Sequence, residues 1–393
     1  MFNRVTRCFI PSRILLGSGL IILINGCSTV SAPPETTPGI EKAVCWNTLK
    51  GWQQDSLSEA LPALQQQCPR LSKTQPEWKE ICSAIDHLQP ITDDKLRDFF
   101  ETHFVPHNII GTQGKNQGLI TGYYEPTLNG SMKPNKRYNY PLYQPPKDML
   151  TLKLGSRFPE LKDQRVRGRL EGNTVIPYYS REEIDNSHSP LKGQEILWVD
   201  DADAAFFLHI QGSGRIQLAD GSMIGVGYAD QNGHPYVAIG KKLIEAGELT
   251  REEVSLDTIR QWLSSHPEKA DILKNQNPSY VFFNLRKDLE FGPRGSLNVP
   301  LTAERSVAVD RKIIPLGTPL WINTTLPGSD QTYQRLVLAQ DTGGAINGPV
   351  RADMFFGRGA RAEKLAGEMK QTGSIFALLP KTKHSETSTA SCE

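Results

Sequence analysis

The last third of the chain most narrows what it can fold into. RSVAVD (Arg305–Asp310), GTPLWI (Gly317–Ile322), QRLVLAQD (Gln334–Asp341) and SIFALL (Ser374–Leu379) are short apolar runs punctuated by Gly and Pro, the pattern of brief strands with tight connections. One helical pattern, Ala360–Lys370, interrupts them. Many short strands with crossing loops favour closure into a barrel, which removes edges that would otherwise template aggregation. The 27 prolines and 33 glycines agree with a loop-rich β protein and argue against a helical bundle. At 393 residues there is room for two domains, or for one domain with a large insertion.

Upstream the text is mixed. Helices are predicted at Asp55–Gln67, Glu77–Leu88 and Asp93–His103, the last opened by Thr92 with acidic residues in its first turn. GLITGYYEP (Gly118–Pro126) reads as a strand ending in a rigid corner. Thr127–His188 is rich in Pro, Arg and Lys and weakly periodic. Ala204–Tyr228 is the clearest antiparallel β text, with Gly212-Ser213-Gly214 and Ala219-Asp220-Gly221 as its turn signals. Helical patterns return at Tyr236–Ala246 and Leu256–Ser265, and SYVFFNL (Ser279–Leu285) is another strand.

The N-terminus has a different character. Arg4, Arg7 and Arg13 precede eleven uncharged residues, Ile14–Ile24, and then Asn25-Gly26-Cys27, which is an export signal too short to span a bilayer comfortably. LINGC (Leu23–Cys27) resembles the bacterial lipobox, which implies lipidation of Cys27 after removal of residues 1–26, and Ser28 in the following position implies sorting to a Gram-negative outer membrane. Two or three acyl chains anchor stably where one does not. Residues 27–44, rich in Ser, Thr and Pro, read as the lipidated tether. Loss of three arginines and no acid turns the formal charge from +1 to −2, neither value suggesting a nucleic-acid surface. Cys45, Cys68, Cys82 and Cys392 then remain in an oxidising compartment, with three pairings open and Cys68–Cys82 favoured. No Cys/His spacing supports zinc, and no cofactor is expected.

Three aspartates lie near ends of apolar runs: Asp310 in SVAVDRKIIPLGT, Asp341 in LAQDTGG and Asp353 in VRADMFFG. Asp is depleted from strand interiors, so each either caps a turn or is placed for chemistry. Asp310, followed by Arg-Lys, suits a turn; Asp353, beside Met354, Phe355 and Phe356, sits where desolvation raises a carboxyl pKa. Asp341-Thr342-Gly343 copies the aspartic-peptidase signature, but that chemistry needs two such motifs sharing a proton and the chain holds one. GxSxG, HExxH and P-loop patterns are absent from the sequence.

Taken together, GYYEP (Gly122–Pro126), FLHIQGSGR (Phe207–Arg215), GYADQNGHPYVAIGKKLI (Gly227–Ile244), QNPSYVFF (Gln276–Phe283), AVDRKIIPLGTPL (Ala308–Leu320) and QDTGGAINGPVRADMFFG (Gln340–Gly357) resemble the membrane-bound lytic murein transglycosylase A family. The resemblance implies a mainly β fold with flanking helices: a double-psi β-barrel (45–127 and 275–393) with a second small β-barrel (128–274) inserted beside a substrate groove. It also implies a peptidoglycan glycan strand as substrate, cut between N-acetylmuramic acid and N-acetylglucosamine with formation of a 1,6-anhydromuramic end. Asp353 corresponds to the family's catalytic acid, and Asp341 and Asp310 to two further aspartates of that domain. One carboxyl suffices because the muramic C6 hydroxyl is the nucleophile, where ordinary glycosidases need a second carboxylate. Asp341 is then expected to give electrostatic support, and Tyr123, Tyr124, Glu125, Gln211, Ser213 and Asp310 to contact substrate. Alternation sends Tyr123 and Tyr124 to opposite faces, so one of them belongs to a core. Asn347 departs from the family pattern, which has Lys there. Expected partners are glycan strands, the outer membrane through the lipid, and a wall-synthesis complex. A hydrolytic glycosidase with Asp341 as base and a non-catalytic wall-binding lipoprotein are the alternatives.

Overall fold

The computed structural model describes residues 37–162 and 166–381. The signal segment, Cys27 and Cys392 lie outside the described residues, and with them the lipidation and any Cys45–Cys392 pairing. Strand β1 (Gly39–Ala43) leads through short 3-10 turns to helices α1 (Leu61–Thr74), α2 (Pro76–Asp86) and α3 (Asp93–His103), then to strands β2 (Phe104–Ile110) and β3 (Gly118–Glu125). Next come β4 (Thr127–Ser131), β5 (Tyr140–Tyr143), β6 (Leu150–Leu152), β7 (Val166–Glu171), β8 (Thr174–Pro177), α4 (Arg181–Asp185) and β9 (Glu195–Val199). The middle region continues with α5 (Ala202–Gln211), β10 (Ser213–Leu218), β11 (Met223–Gln231), α6 (Ile239–Glu245), α7 (Leu256–Ser265), α8 (Pro267–Asn275) and β12 (Val281–Arg286). The last third contributes β13 (Ser306–Val309), β14 (Pro319–Thr325), β15 (Thr332–Asp341), β16 (Arg351–Arg358), α9 (Ala360–Glu368) and β17 (Lys370–Pro380).

Six of these strands close on themselves. The order β17-β14-β15-β13-β16-β3 is completed by a pairing of β3 back to β17. β13 runs parallel to β15 and β16 parallel to β3, while the other contacts around the ring are antiparallel. The interior is filled by alternate residues such as Ile120, Val307, Leu320, Val337, Ala352 and Ile375, all fully buried. This is the closed barrel expected from the short strands, and β1 and β2 extend it beside β17.

The helices α1–α3 cover one outer face. Trp321, Leu336, Leu338, Phe376 and Leu378 point outward from β14, β15 and β17 into a core shared with Trp52, Leu64, Ile81 and Phe100. Each fully buried large apolar side chain contributes about 1.5–3 kcal/mol, so this layer is strongly held. A buried Arg305 ties it down electrostatically, donating to both carboxylate oxygens of Asp55, to Glu59 and to the Leu336 carbonyl. The Cys68–Cys82 disulfide joins α1 to α2, the pairing favoured from sequence. The helix begins later than expected and runs through Pro69, which is exposed, so the carbonyl deprived of its donor there is on the wet side.

Past Pro126 the chain enters a second sheet, ordered β12-β11-β10-β4-β9-β5, with a three-stranded sheet β6-β7-β8 beside it. Leu142 of β5 and Phe283 of β12, from the two end strands, meet in one core. β12 lies past residue 274, so this sheet draws on chain beyond the expected inner boundary. The β reading of Ala204–Tyr228 needs correction in its first part, because Ala202–Gln211 is helix α5. Asp201 caps it, accepting from the amides of Asp203 and Ala204, and Gly212 ends it at φ 77°, a left-handed conformation suited to glycine. The amphipathic period is missing because α5 lies between two cores, Ala205 and Leu208 facing one and Phe206 and Phe207 the other. The hairpin itself is β10–β11, turning at Ala219-Asp220-Gly221-Ser222.

The Cys68–Cys82 bridge closes a loop with a sequence separation of 14. Loops near this length carry about 3 kcal/mol of stabilisation. The double Cys68→Ser, Cys82→Ser variant is therefore expected to lose about that much in denaturant unfolding relative to the oxidised protein.

Candidate active site

With α1–α3 on one side, the outer face of β13, β16 and β3 is left to face the second sheet. Ala308 on β13 is the register partner of Asp341 on one side and of Asp353 on the other. Asp353 is in turn the partner of Thr121 on β3. The row Asp341, Ala308, Asp353, Thr121 thus crosses four adjacent strands at one level. Asp353 sits inside β16 and not at an apolar run's end as its sequence setting suggested, a position that disfavours Asp unless chemistry requires it.

The two carboxylates have unequal surroundings. Asp341 accepts four hydrogen bonds: from the Ser296 amide at 2.9 Å and hydroxyl at 3.0 Å, from the Thr342 amide at 2.8 Å, and from the Tyr123 hydroxyl at 2.9 Å. Gly295 makes this possible, since a Cβ there would lie 2.5 Å from the Gln340 carbonyl and push the Ser296 loop away from the strand. Asp353 accepts one, from the Thr121 hydroxyl at 2.5 Å. Burial raises the pKa of both; at Asp353 the Thr121 bond and the Arg351 charge oppose the rise and the charge of Asp341 adds to it. At Asp341 all four donors oppose it. An anion is better supported by four donors than by one, which leaves Asp353 with the weaker hydrogen-bond support of the two.

Around this row the other predicted residues take distinct places. Tyr123, two residues beyond Thr121 on the same face of β3, packs with Phe355, Leu301, Ala308 and Ile346 beneath the carboxylates. Tyr124 turns into the barrel core, and its hydroxyl donates to Glu363 at 2.8 Å. Glu125 is 2% exposed and paired with Arg215 at 2.9 Å and Arg286 at 2.5 Å. Gln211 accepts the Tyr124 amide through Oε1 at 2.9 Å and lines a cleft of about 240 Å3 together with Phe207, Tyr236 and Lys241. Ser213 is buried at the start of β10, opposite Gly227. Asp310 caps its turn by accepting the Lys312 amide, and its other oxygen takes the Gly348 amide at 2.9 Å, pinning the glycine loop. Asn347 is exposed and donates to the Gly344 carbonyl within that loop.

Four residues of the site escaped the sequence reading. Thr121 was findable, since its period-2 relation to Tyr123 puts both on one face. Arg351 flanks Asp353 and donates to the Ala352 and Leu119 carbonyls. Tyr236, from the second domain, lines the cleft with Gln211 and has its pKa pushed up to about 12, first by burial and then by the charge of Asp353. Ser296 has no sequence signal, because its place depends on how the loop before β13 lies against the end of β15. Among the described residues no cluster of His, Cys, Asp and Glu is arranged to hold a metal ion.

A closed six-stranded barrel with two parallel contacts, a second β domain entered from one of its strands, and paired carboxylates on the face between them define a double-psi-barrel protein with an inserted domain. The family described as "MltA specific insert domain" matches residues 119–284 and that described as "3D domain" matches 305–379. The chain is 35% identical over 269 residues to membrane-bound lytic murein transglycosylase A of Escherichia coli strain K12, an alignment covering 66% of this chain and 65% of that one. The crystal structure of membrane-bound lytic murein transglycosylase from Agrobacterium tumefaciens is similar with a TM-score of 0.79 at 31% identity, covering 89% of this chain and 100% of that one. The E. coli MltA structure with bound chitohexaose has a TM-score of 0.66 at 25% identity, covering 88% and 96%. The chain belongs to the membrane-bound lytic murein transglycosylase A family.

The raised pKa of Asp353 has a consequence for stability. A carboxyl whose folded-state value is raised favours folding only while protonated, so its contribution is intact below about pH 4 and lost as pH rises through the folded value. Asp353→Asn is therefore expected to melt at a higher temperature than the wild type at pH 7, with the gain vanishing below about pH 4, as followed by calorimetry.

Proposed function

We propose that this chain is a lytic transglycosylase that cleaves the β-1,4 bond between N-acetylmuramic acid and N-acetylglucosamine in peptidoglycan. The observation that carries the reading is the asymmetry of the two carboxylates, one hydrogen bond on Asp353 against four on Asp341. Family membership and the sugar-bound relative support the substrate class.

In this reading Asp353, protonated at rest, gives its proton to the glycosidic oxygen as the bond to muramic C1 breaks. The C6 hydroxyl oxygen closes on C1, and its proton passes to the Asp353 carboxylate, which restores the acid. No water enters the product. An intramolecular nucleophile has an effective concentration that solvent cannot match, so no second carboxylate is needed to activate water. Asp341, held ionised, stabilises the oxocarbenium-like transition state, and Tyr123 fixes its orientation. Tyr236 and Gln211 offer a ring and an amide to the sugar from the opposite domain. Glu125, Ser213 and Asp310 act behind the surface, as ion-pair partner, strand residue and loop pin; Tyr124 supports from the barrel core.

Residues 1–26 are read as a lipoprotein signal and Cys27 as the lipidated residue, so that the enzyme faces the periplasm from the outer membrane, a setting suited to a wall-synthesis complex. Residues 45–127 and 275–393 form the catalytic domain in this reading, and 128–274 the body of the insertion, whose sheet β12 of the later segment joins.

Digestion of purified sacculi with protein beginning at Ser28 is expected to give 1,6-anhydromuramic ends by mass spectrometry, one water lighter than hydrolytic ends. Asp353→Asn is expected to lower the rate by about 10²–10⁴-fold. Reducing ends in their place would assign the protein to the hydrolases.

A further inference from the structure

A second cleft, at the C-terminal ends of β3 and β16, has no part in the chemistry above. It holds about 370 Å3 and is lined by Glu125, Arg215, Phe291, Phe355, Arg358 and Arg361, among others. Its apolar wall continues into the acidic site, since the Phe355 ring lies 5.3 Å from that of Tyr123, which bonds Asp341. Arg358 is five residues beyond Asp353 on β16, about 16 Å along a strand.

The charges around this cleft are unevenly occupied. Arg215 is committed to Glu125 and to the Leu289 carbonyl, and Glu125 also holds Arg286. Glu304 is taken by Arg361 and the Tyr333 hydroxyl. Arg358, exposed at the mouth, has no hydrogen bond or ion pair among the described residues, and neither has the carboxylate of Glu290 on the same rim. Phe291 beside them is 44% exposed. The cleft therefore presents one free guanidinium, one free carboxylate and an apolar ring at a fixed distance from the acid.

A neutral sugar has no group that asks for a free guanidinium. The fork of an Arg fits a carboxylate through two parallel N–H bonds. We propose that this cleft receives the stem peptide carried by the muramic lactyl group, with Arg358 taking a stem carboxylate and Glu290 facing the ammonium of a diamino residue; the inference rests on the transglycosylase reading. Four or five extended residues span about 13–18 Å, which matches the separation from Asp353 to the cleft mouth. Phe291 then covers the methyl groups of alanines in the stem. The cleft makes the enzyme sensitive to the peptide on the very sugar it cuts.

Steady-state cleavage of glycan strands with intact stems, compared with strands stripped of peptide by an amidase, tests this. Arg358→Gln is expected to raise KM about tenfold on peptide-bearing strands, the loss of one charge-assisted hydrogen bond, with KM on stripped strands unchanged. The melting temperature, followed alongside, is expected to stay that of the wild type because Arg358 has no partner to lose. An unchanged KM on both substrates, or an equal rise on both, would overturn the proposal. Failure of the wild type on both strands would overturn the transglycosylase reading, and this assignment with it.

Discussion

Ala308 stands between two carboxylates, and much of the molecule serves to keep it there. As the central strand of the barrel's acidic face, β13 pairs in parallel with the strand ending in Asp341 and antiparallel with the strand holding Asp353. The register of Ala308 places both acids on one level, and its small side chain packs with Tyr123, Leu301, Ile346 and Phe355. Closure of the ring by β3 against β17 fixes the sideways position of Thr121, and hence the one donor that Asp353 receives. The packing of α1–α3 on the far side keeps the other face of the barrel from water, so the two faces are served by different parts of the chain.

Burial and hydrogen bonding act against each other at both carboxyls, and the count of donors decides between them. Removal from water raises each pKa, while hydrogen bonds from Ser296, Thr342 and Tyr123 oppose the rise at Asp341. Asp353 receives one hydroxyl and the more diffuse influence of Arg351. The two acids thereby have unequal surroundings, with Asp341 also discouraging charge on its neighbour. Tyr236 adds that the second domain contributes to the acid's environment as well as to the cleft beside it.

Much of this was legible in the sequence where local pattern and tertiary need agree. The short Gly- and Pro-bounded runs of the last third become β13, β14, β15 and β17, and Tyr123 and Tyr124 fall on opposite faces as their alternation implies, one beside Asp341 and one in the barrel core. α7 matches its expected span because its capping box, Ser255 with Thr258, is written locally. Helix α5 was hidden because a helix buried on both sides has no amphipathic period to read. Glu125 illustrates another limit: a carboxylate beside two tyrosines reads as a ligand for sugar, but its partners Arg215 and Arg286 come from strands far along the chain. Ser296 is the clearest case, since nothing local says that a loop serine will meet Asp341.

The proposed chemistry turns on the order in which the two acids ionise. Carboxyl ¹³C chemical shifts followed by NMR across pH, with Asp353→Asn and Asp341→Asn used to assign the signals, measure that order directly. The Asp353 carboxyl is expected to titrate at the higher pH, with Asp341 already ionised while Asp353 keeps its proton. Ionisation of Asp353 before Asp341 would contradict it and pass the role of proton donor to Asp341.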